Sequence, residues 1–213
     1  MPKYIAPSWE PRRVFCIGRN YPDHIREMGA VDDGECVVFL KPPTSLVPYG
    51  RVVQLPRGRG AVHHELELVV VLGAGGREVP RDRALGLVAG ATLGLDLTLR
   101  DVQAGLKERR LPWELSKAFD GSAPLGRWVT IDGLDLGAVE LSCRVNGVLR
   151  QQGNTAQMLF PVERLIEIVS RTWELLPGDL IFTGTPSGVG PVVAGDELVG
   201  ESPQLGPCAW RFG

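Results

Sequence analysis

The stretch HHELELVVVLG, His63–Gly73, limits the possible folds more than any other part of the chain. Glu65, Leu66, Glu67 and Leu68 alternate strictly, and Val69-Val70-Val71-Leu72 then runs apolar. Alternation with a period of two, followed by a β-branched run, predicts a strand. Positions i and i+2 of a strand share a face, about 6.5–7 Å apart. Glu65 and Glu67 therefore point one way, and Leu66 and Leu68 the other. Two arrangements satisfy the pattern. An edge strand leaves its acid face in water. A strand covered on both sides, as the apolar run suggests, buries two carboxylates, and these must then be partly protonated or held by a cation.

The remaining sequence predicts a mainly β chain around that strand. Its 27 glycines and 17 prolines suit many tight turns between short strands. Strands are expected at Val14–Ile17, before the Pro-Pro of VFLKPPTS, and up to Asp96. Asn146-Gly147, between two alternating runs, predicts a hairpin. A helix of about two turns should start at Pro22 and stop at Gly29. A second should open on the Thr98-x-x-Asp101 pair, and a third carries Leu165, Ile166, Val169 and Trp173 on one stripe. SKAFDGSAPLGRWVT reads as a loop into a strand. The expected fold class is α+β, predominantly β, as a single domain over 1–213 with a short N-terminal segment, 1–13.

Charge and cysteine usage exclude several function classes. A net charge of −2 without a dense Lys/Arg run argues against nucleic acid, and KERR at Lys107–Arg110 reads as solvated surface. No apolar run approaches the roughly 18 residues of a membrane span. The N-terminus lacks an apolar core of signal length, so a cytoplasmic protein is expected. Cys16, Cys36, Cys143 and Cys208 form no CxxC and read as free thiols of a reducing compartment, with a disulfide as the alternative.

Glu65, Glu67 and Asp96 are three carboxylates at strand-associated positions, with no cysteine among them. Such a donor set suits a hard cation, Mg²⁺ or Mn²⁺, whereas zinc prefers nitrogen and sulfur. His63 falls on the face of Glu65, as a fourth ligand or a group bonded behind the ligands; His64 points the other way. His24 lies three residues before Glu27 on the short helix, where i and i+3 are neighbours. The pair reads as a general base with its orienting carboxylate, or as a surface pair.

These residues sit inside seven motifs that occur in order: GRNYPDHIREMG, VFLKPPTS, HHELEL, GLDLTLRDVQ, LPWELSKAFD, VNGVLRQQGNTAQMLF and GDLIFTGTPSGVGPV. In this the chain resembles the fumarylacetoacetate hydrolase family, in its small branch of acylpyruvate hydrolases and oxaloacetate decarboxylases or tautomerases. The resemblance implies a mixed β-sheet roll with peripheral helices, a homodimer, and Mg²⁺ or Mn²⁺ held by Glu65, Glu67 and Asp96. It also implies that His24 and Glu27 ride on a lid that orders on binding. Lys117 is implied as a catalytic residue, and Arg100, Gln103, Thr185, Arg19 and Lys41 as contacts to a small 2-keto acid.

The expected reaction is hydrolysis of the C–C bond of acylpyruvate-type 2,4-diketo acids through a pyruvate enolate, with oxaloacetate decarboxylation as a further outcome. Tautomerisation of oxaloacetate, or isomerisation of a 2-hydroxy-diene-dioate, would use the same residues. A non-catalytic module with a structural cation would need neither the His24–Glu27 pair nor Lys117.

Overall fold

The structure, a computed structural model, describes residues 2–6, 10–31 and 34–213. In chain order its elements are strand β1 (Val14–Gly18), helix α1 (Pro22–Glu27), and strands β2 (Val37–Lys41), β3 (Leu46–Val47), β4 (Val62–His64) and β5 (Leu66–Leu72). Helix α2 (Arg81–Ala84), strands β6 (Val88–Leu95) and β7 (Thr98–Leu99), and helices α3 (Arg100–Glu108) and α4 (Glu114–Lys117) follow. The second half holds β8 (Ala123–Pro124), β9 (Glu140–Val145), β10 (Val148–Asn154), helix α5 (Val162–Thr172), β11 (Leu180–Phe182), β12 (Gly190–Val192), β13 (Glu197–Glu201) and β14 (Cys208–Arg211).

A central sheet runs β2-β1-β11-β5-β6, with the β1–β11 pair parallel and the others antiparallel. Around it lie sheets β10-β9-β13-β14, β12-β4-β7 and β3-β8. This is the expected mixed-sheet architecture in which strand exceeds helix. β5 is buried along its whole length, so the covered-strand arrangement holds and the wet edge does not. Leu66, Leu68, Val70 and Leu72 enter the main core, while Val69 and Val71 pack with Val14, Cys16 and Phe182 on the opposite face. Each such fully buried aliphatic side chain contributes about 1.5–3 kcal/mol, which offsets the burial of Glu67 on this strand and of Glu65 just before it.

Several local expectations hold. Asn146 (φ 50°) and Gly147 (φ 81°) make the tight turn between β9 and β10. Gly29 (φ 59°) ends α1, with its N–H on the Arg26 carbonyl and Ala30 N–H on the Ile25 carbonyl. Two do not. α3 opens at Arg100 with Leu99 as N-cap. Thr98 is a strand residue paired with His63, its hydroxyl donates to the Asp96 carbonyl at 3.1 Å, and Asp101 accepts from Ala61 N–H at 3.2 Å. The extended chain thus runs one residue beyond the expected cap. The segment read as a loop at SKAF starts inside a one-turn helix, α4, whose last residue is Lys117.

Candidate metal and active site

Glu65 and Asp96 face each other where two antiparallel strands change sheets together. One passes from β4 to β5 at Glu65, the other from β6 towards β7 at Asp96. Asp96 N–H donates to the Glu65 carbonyl at 2.9 Å, which sets the two acids at one level. Glu67 follows two residues along β5, opposite Gly94. A Cβ at Gly94 would come within 2.7 Å of Val69 Cγ2 and 2.9 Å of Phe182 Cε1, so glycine is what lets β6 lie there. One ligand atom from each of Glu65, Glu67 and Asp96 lies within 4.8 Å of the others, and all three residues are buried. His63, read as a fourth ligand or a group bonded behind the ligands, is not among the residues of this group.

The cations around the acids are unevenly shared. Lys117 Nζ donates to Glu65 Oε2 at 2.7 Å and to Asp96 Oδ2 at 2.6 Å. Arg100 Nη2 donates to Glu65 Oε1, and its Nη1 to Gln103 Oε1 at 2.7 Å. Burial alone would raise the Glu65 carboxyl, but Lys117 and Arg100 hold it well below its ordinary range. Burial would likewise lower the Lys117 ammonium, yet Asp96 and Glu65 raise it. Glu67 has the opposite balance. Burial first, then the charges of Asp96 and Glu65, push its carboxyl well above its ordinary value. It accepts Gly184 N–H at 2.8 Å and pairs with no cation among the described residues. Three buried oxygen donors, one of them lacking a counter-charge, fit a hard divalent ion.

His24 reaches the same cavity from α1. That cavity measures about 40 Å³ and is lined by the three acids together with His24, Arg100 and Lys117. Arg19, Gln103 and Thr185 also line it. Glu27 stands behind His24, its Oε2 3.0 Å from His24 Nδ1, and its Oε1 accepts Gly188 N–H at 2.9 Å. Lys41 departs from its expected place facing the substrate. Its ammonium lies 2.9 Å from Asp96 Oδ1 and donates to Ser122 Oγ at 2.9 Å and to the Lys117 carbonyl. It is buried against Asp96 and does not line the cavity, whereas Phe39, two residues earlier on β2, does.

Two groups at the site escaped the sequence reading. Lys107, read there as surface, lines the cavity with its ammonium 5.3 Å from the Trp113 ring centre. Burial lowers it, and Arg100 and Lys117 lower it further. Its spacing from Arg100 and Gln103 (i, i+3, i+7) places all three on one face of α3 and was the available signal. Gln151, on β10, donates to Thr185 Oγ1 at 2.7 Å. It lies 34 residues from Thr185 and on a different sheet from β5 and β6, and no spacing within one element points to it. All four cysteines are free thiols, and among the described residues no helix is long and apolar enough to cross a membrane.

A family model described as fumarylacetoacetate (FAA) hydrolase C-terminal matches residues 13–212. The oxaloacetate tautomerase YcgM of Escherichia coli K12 is 44% identical over 188 residues, covering 87% of this chain and 86% of that protein. The mitochondrial oxaloacetate tautomerase FAHD1 of Bos taurus is 45% identical over 196 residues, covering 91% of this chain and 89% of that protein. A crystal structure of fumarylpyruvate hydrolase from Pseudomonas aeruginosa, in complex with Mn²⁺ and pyruvate, superposes with a TM-score of 0.92 at 38% identity, covering 99% of this chain and 94% of that one.

Proposed function

Because the chain belongs to the fumarylacetoacetate hydrolase family, we propose that it is a divalent-metal-dependent enzyme that takes small 2-keto acids through an enolate. The observation that carries this reading is one cavity in which the His24 imidazole, oriented by Glu27, faces the buried acid triad. Glu65, Glu67 and Asp96 would hold the ion. When bound, it supplies Lewis acidity at the 2-keto oxygen, where negative charge gathers as a bond at C3 breaks. Arg100 and Lys117 place positive charge beside the substrate carboxylate and counter the acids. His24 takes a proton from C3 or from water, and Glu27 fixes the ring and stabilises its charged form. The cavity as it stands holds only a few waters, so α1 acts as the lid that must move to admit a diacid.

Two reactions share these steps. The tautomerase relatives, at 44–45% identity, favour keto–enol interconversion of an oxaloacetate-type acid, in which a proton leaves C3 and returns to oxygen. The Mn²⁺–pyruvate complex of the fumarylpyruvate hydrolase favours the hydrolytic reading. There, water activated by His24 attacks the C4 carbonyl and the C3–C4 bond breaks to give a pyruvate enolate. Turnover is to be measured on oxaloacetate in keto and enol form, on acylpyruvates and on 2-hydroxymuconate-type acids, with Mg²⁺, with Mn²⁺ and in chelator. Metal-dependent tautomerisation is expected to be fastest. Faster acylpyruvate cleavage would make the hydrolase reading the primary one, and no metal-dependent turnover on the whole panel would leave a binding module.

Mg²⁺ as the resident ion, the cytoplasm as the compartment, one catalytic domain and a homodimer complete the proposal. Oxygen-only donors support Mg²⁺, and four free thiols support a reducing compartment. An apolar cavity of about 490 Å³ bordered by Ile5, Tyr49, Leu125, Trp128 and Leu180 supports a second copy as its cover.

A further inference from the structure

Gln151 is fully buried and belongs to β10, outside the strands that carry the acids. Its amide is used on every side. Oε1 accepts Leu66 N–H at 2.9 Å and lies 2.9 Å from His64 Nδ1. Nε2 donates to the Pro186 carbonyl at 2.8 Å and to Thr185 Oγ1 at 2.7 Å. The two backbone partners fix the amide's orientation, because Leu66 N–H can only donate and the Pro186 carbonyl can only accept. That orientation dictates the rest. His64 faces an acceptor and so carries its proton on Nδ1. Thr185 receives an N–H, and its single hydroxyl proton goes to the Leu66 carbonyl at 2.8 Å. No hydroxyl proton remains for a ligand.

Leu66 is the residue between Glu65 and Glu67. Gln151 therefore holds its N–H directly and its carbonyl through Thr185. The loop bearing Thr185 also packs closely on β10 at two glycines. A Cβ at Gly188 would fall 1.9 Å from the Arg150 carbonyl oxygen, and one at Gly153 would fall 2.8 Å from Pro186 Cβ. Gly188 in turn supplies the N–H that holds Glu27.

We propose that Gln151 is a positioning residue whose amide locks the backbone between the two glutamates to the Thr185 loop and commits the Thr185 hydroxyl proton to protein. Thr185 then serves a ligand as a hydrogen-bond acceptor, suited to an enol hydroxyl or a water rather than to a carboxylate. The proposal rests on the reading of Glu65, Glu67 and Asp96 as metal ligands. Partners behind metal ligands typically change affinity by about 10–100-fold when removed.

Mn²⁺ affinity is to be measured by calorimetric titration of the intact wild type, Gln151→Met and Gln151→Glu, with melting followed in the same buffers. Gln151→Met is expected to bind roughly 10–100-fold more weakly. Gln151→Glu is expected to approach the wild type as pH falls, since a protonated carboxyl can again accept from Leu66 and donate to Thr185. Equal affinity in all three folded proteins, with no pH-dependent ratio, overturns the positioning role. A wild type that binds no Mn²⁺ overturns the metal reading and the proposal with it, a distinguishable failure. Should either variant not fold, ¹⁵N imidazole shifts of the wild type decide: His64 protonated on Nδ1 supports the network, and on Nε2 it overturns it.

Discussion

Glu67 bears most of the cost of gathering three acids in one buried place. Lys117 and Arg100 attend to Glu65, Lys117 and Lys41 to Asp96, and Glu67 receives a single backbone N–H. Burial, reinforced by its two acidic neighbours, raises its carboxyl above the unfolded value. A carboxyl with a raised folded pKa loses stability as pH climbs from the unfolded value, about 4.3, through the folded one. In chelator, Glu67 should therefore cost the wild type stability from pH 5.5 to pH 8, against the opposite contribution of His63 and His64, which burial holds below the ordinary imidazole value. Glu67→Gln should lose that cost and melt higher than wild type at pH 8. Saturating Mn²⁺ should reverse the order, adding about 2.7 kcal/mol to wild type at a hundred times Kd and little to the variant. Scanning calorimetry checks both conditions, and a pH slope unchanged in Glu67→Gln assigns the cost to another group.

Helices α1 and α5 divide the work of the fold at the scale of elements. α5 buries Leu165, Ile166 and Val169 in the main core. α1 is only six residues long, too short to persist alone. It is held by Ile25, by the turn at Gly29 and by the Glu27–Gly188 bond. Leu165→Ala should lower unfolding stability by about 2–5 kcal/mol and leave kcat of the folded enzyme unchanged. Ile25→Ala should do the reverse, lowering kcat/KM about tenfold, or roughly 1.4 kcal/mol of transition-state stabilisation, with a melting point within a few degrees of wild type. Denaturation curves and steady-state kinetics on both variants test the contrast; matching losses in both would assign α1 to the core. Both helices were legible because Pro22, Gly29 and the apolar stripe of α5 are local signals. The start of α3 was not, since pairing of Thr98 with His63 in a sheet outweighed the cap.

For the molecule as a whole, the face of β5 that presents Glu65 and Glu67 continues through Val69 to Val71, which borders the 490 Å³ apolar cavity. One strand face thus serves the acid site at one end and an uncovered apolar surface at the other. Sedimentation velocity at micromolar concentration is expected to give twice the 23.1 kDa chain mass. A second copy would remove Tyr4 and Tyr49 from water. A monomer at that concentration overturns the dimer.

Sequence alone determined the strand, its two acids, the His24–Glu27 neighbours and the hairpin at Asn146-Gly147, because each depends on spacing within a few residues of one element; that the strand is covered on both faces came from the tertiary structure. Tertiary structure decided what those spacings could not. It set Asp96 beside Glu65 through a sheet corner, turned Lys41 against Asp96 instead of into the cavity, brought Lys107 to its rim, and carried Gln151 across from another sheet. These contacts join residues dozens of positions apart. Their geometry follows from how sheets pack against one another, and that is a property of the whole chain's burial rather than of any local pattern.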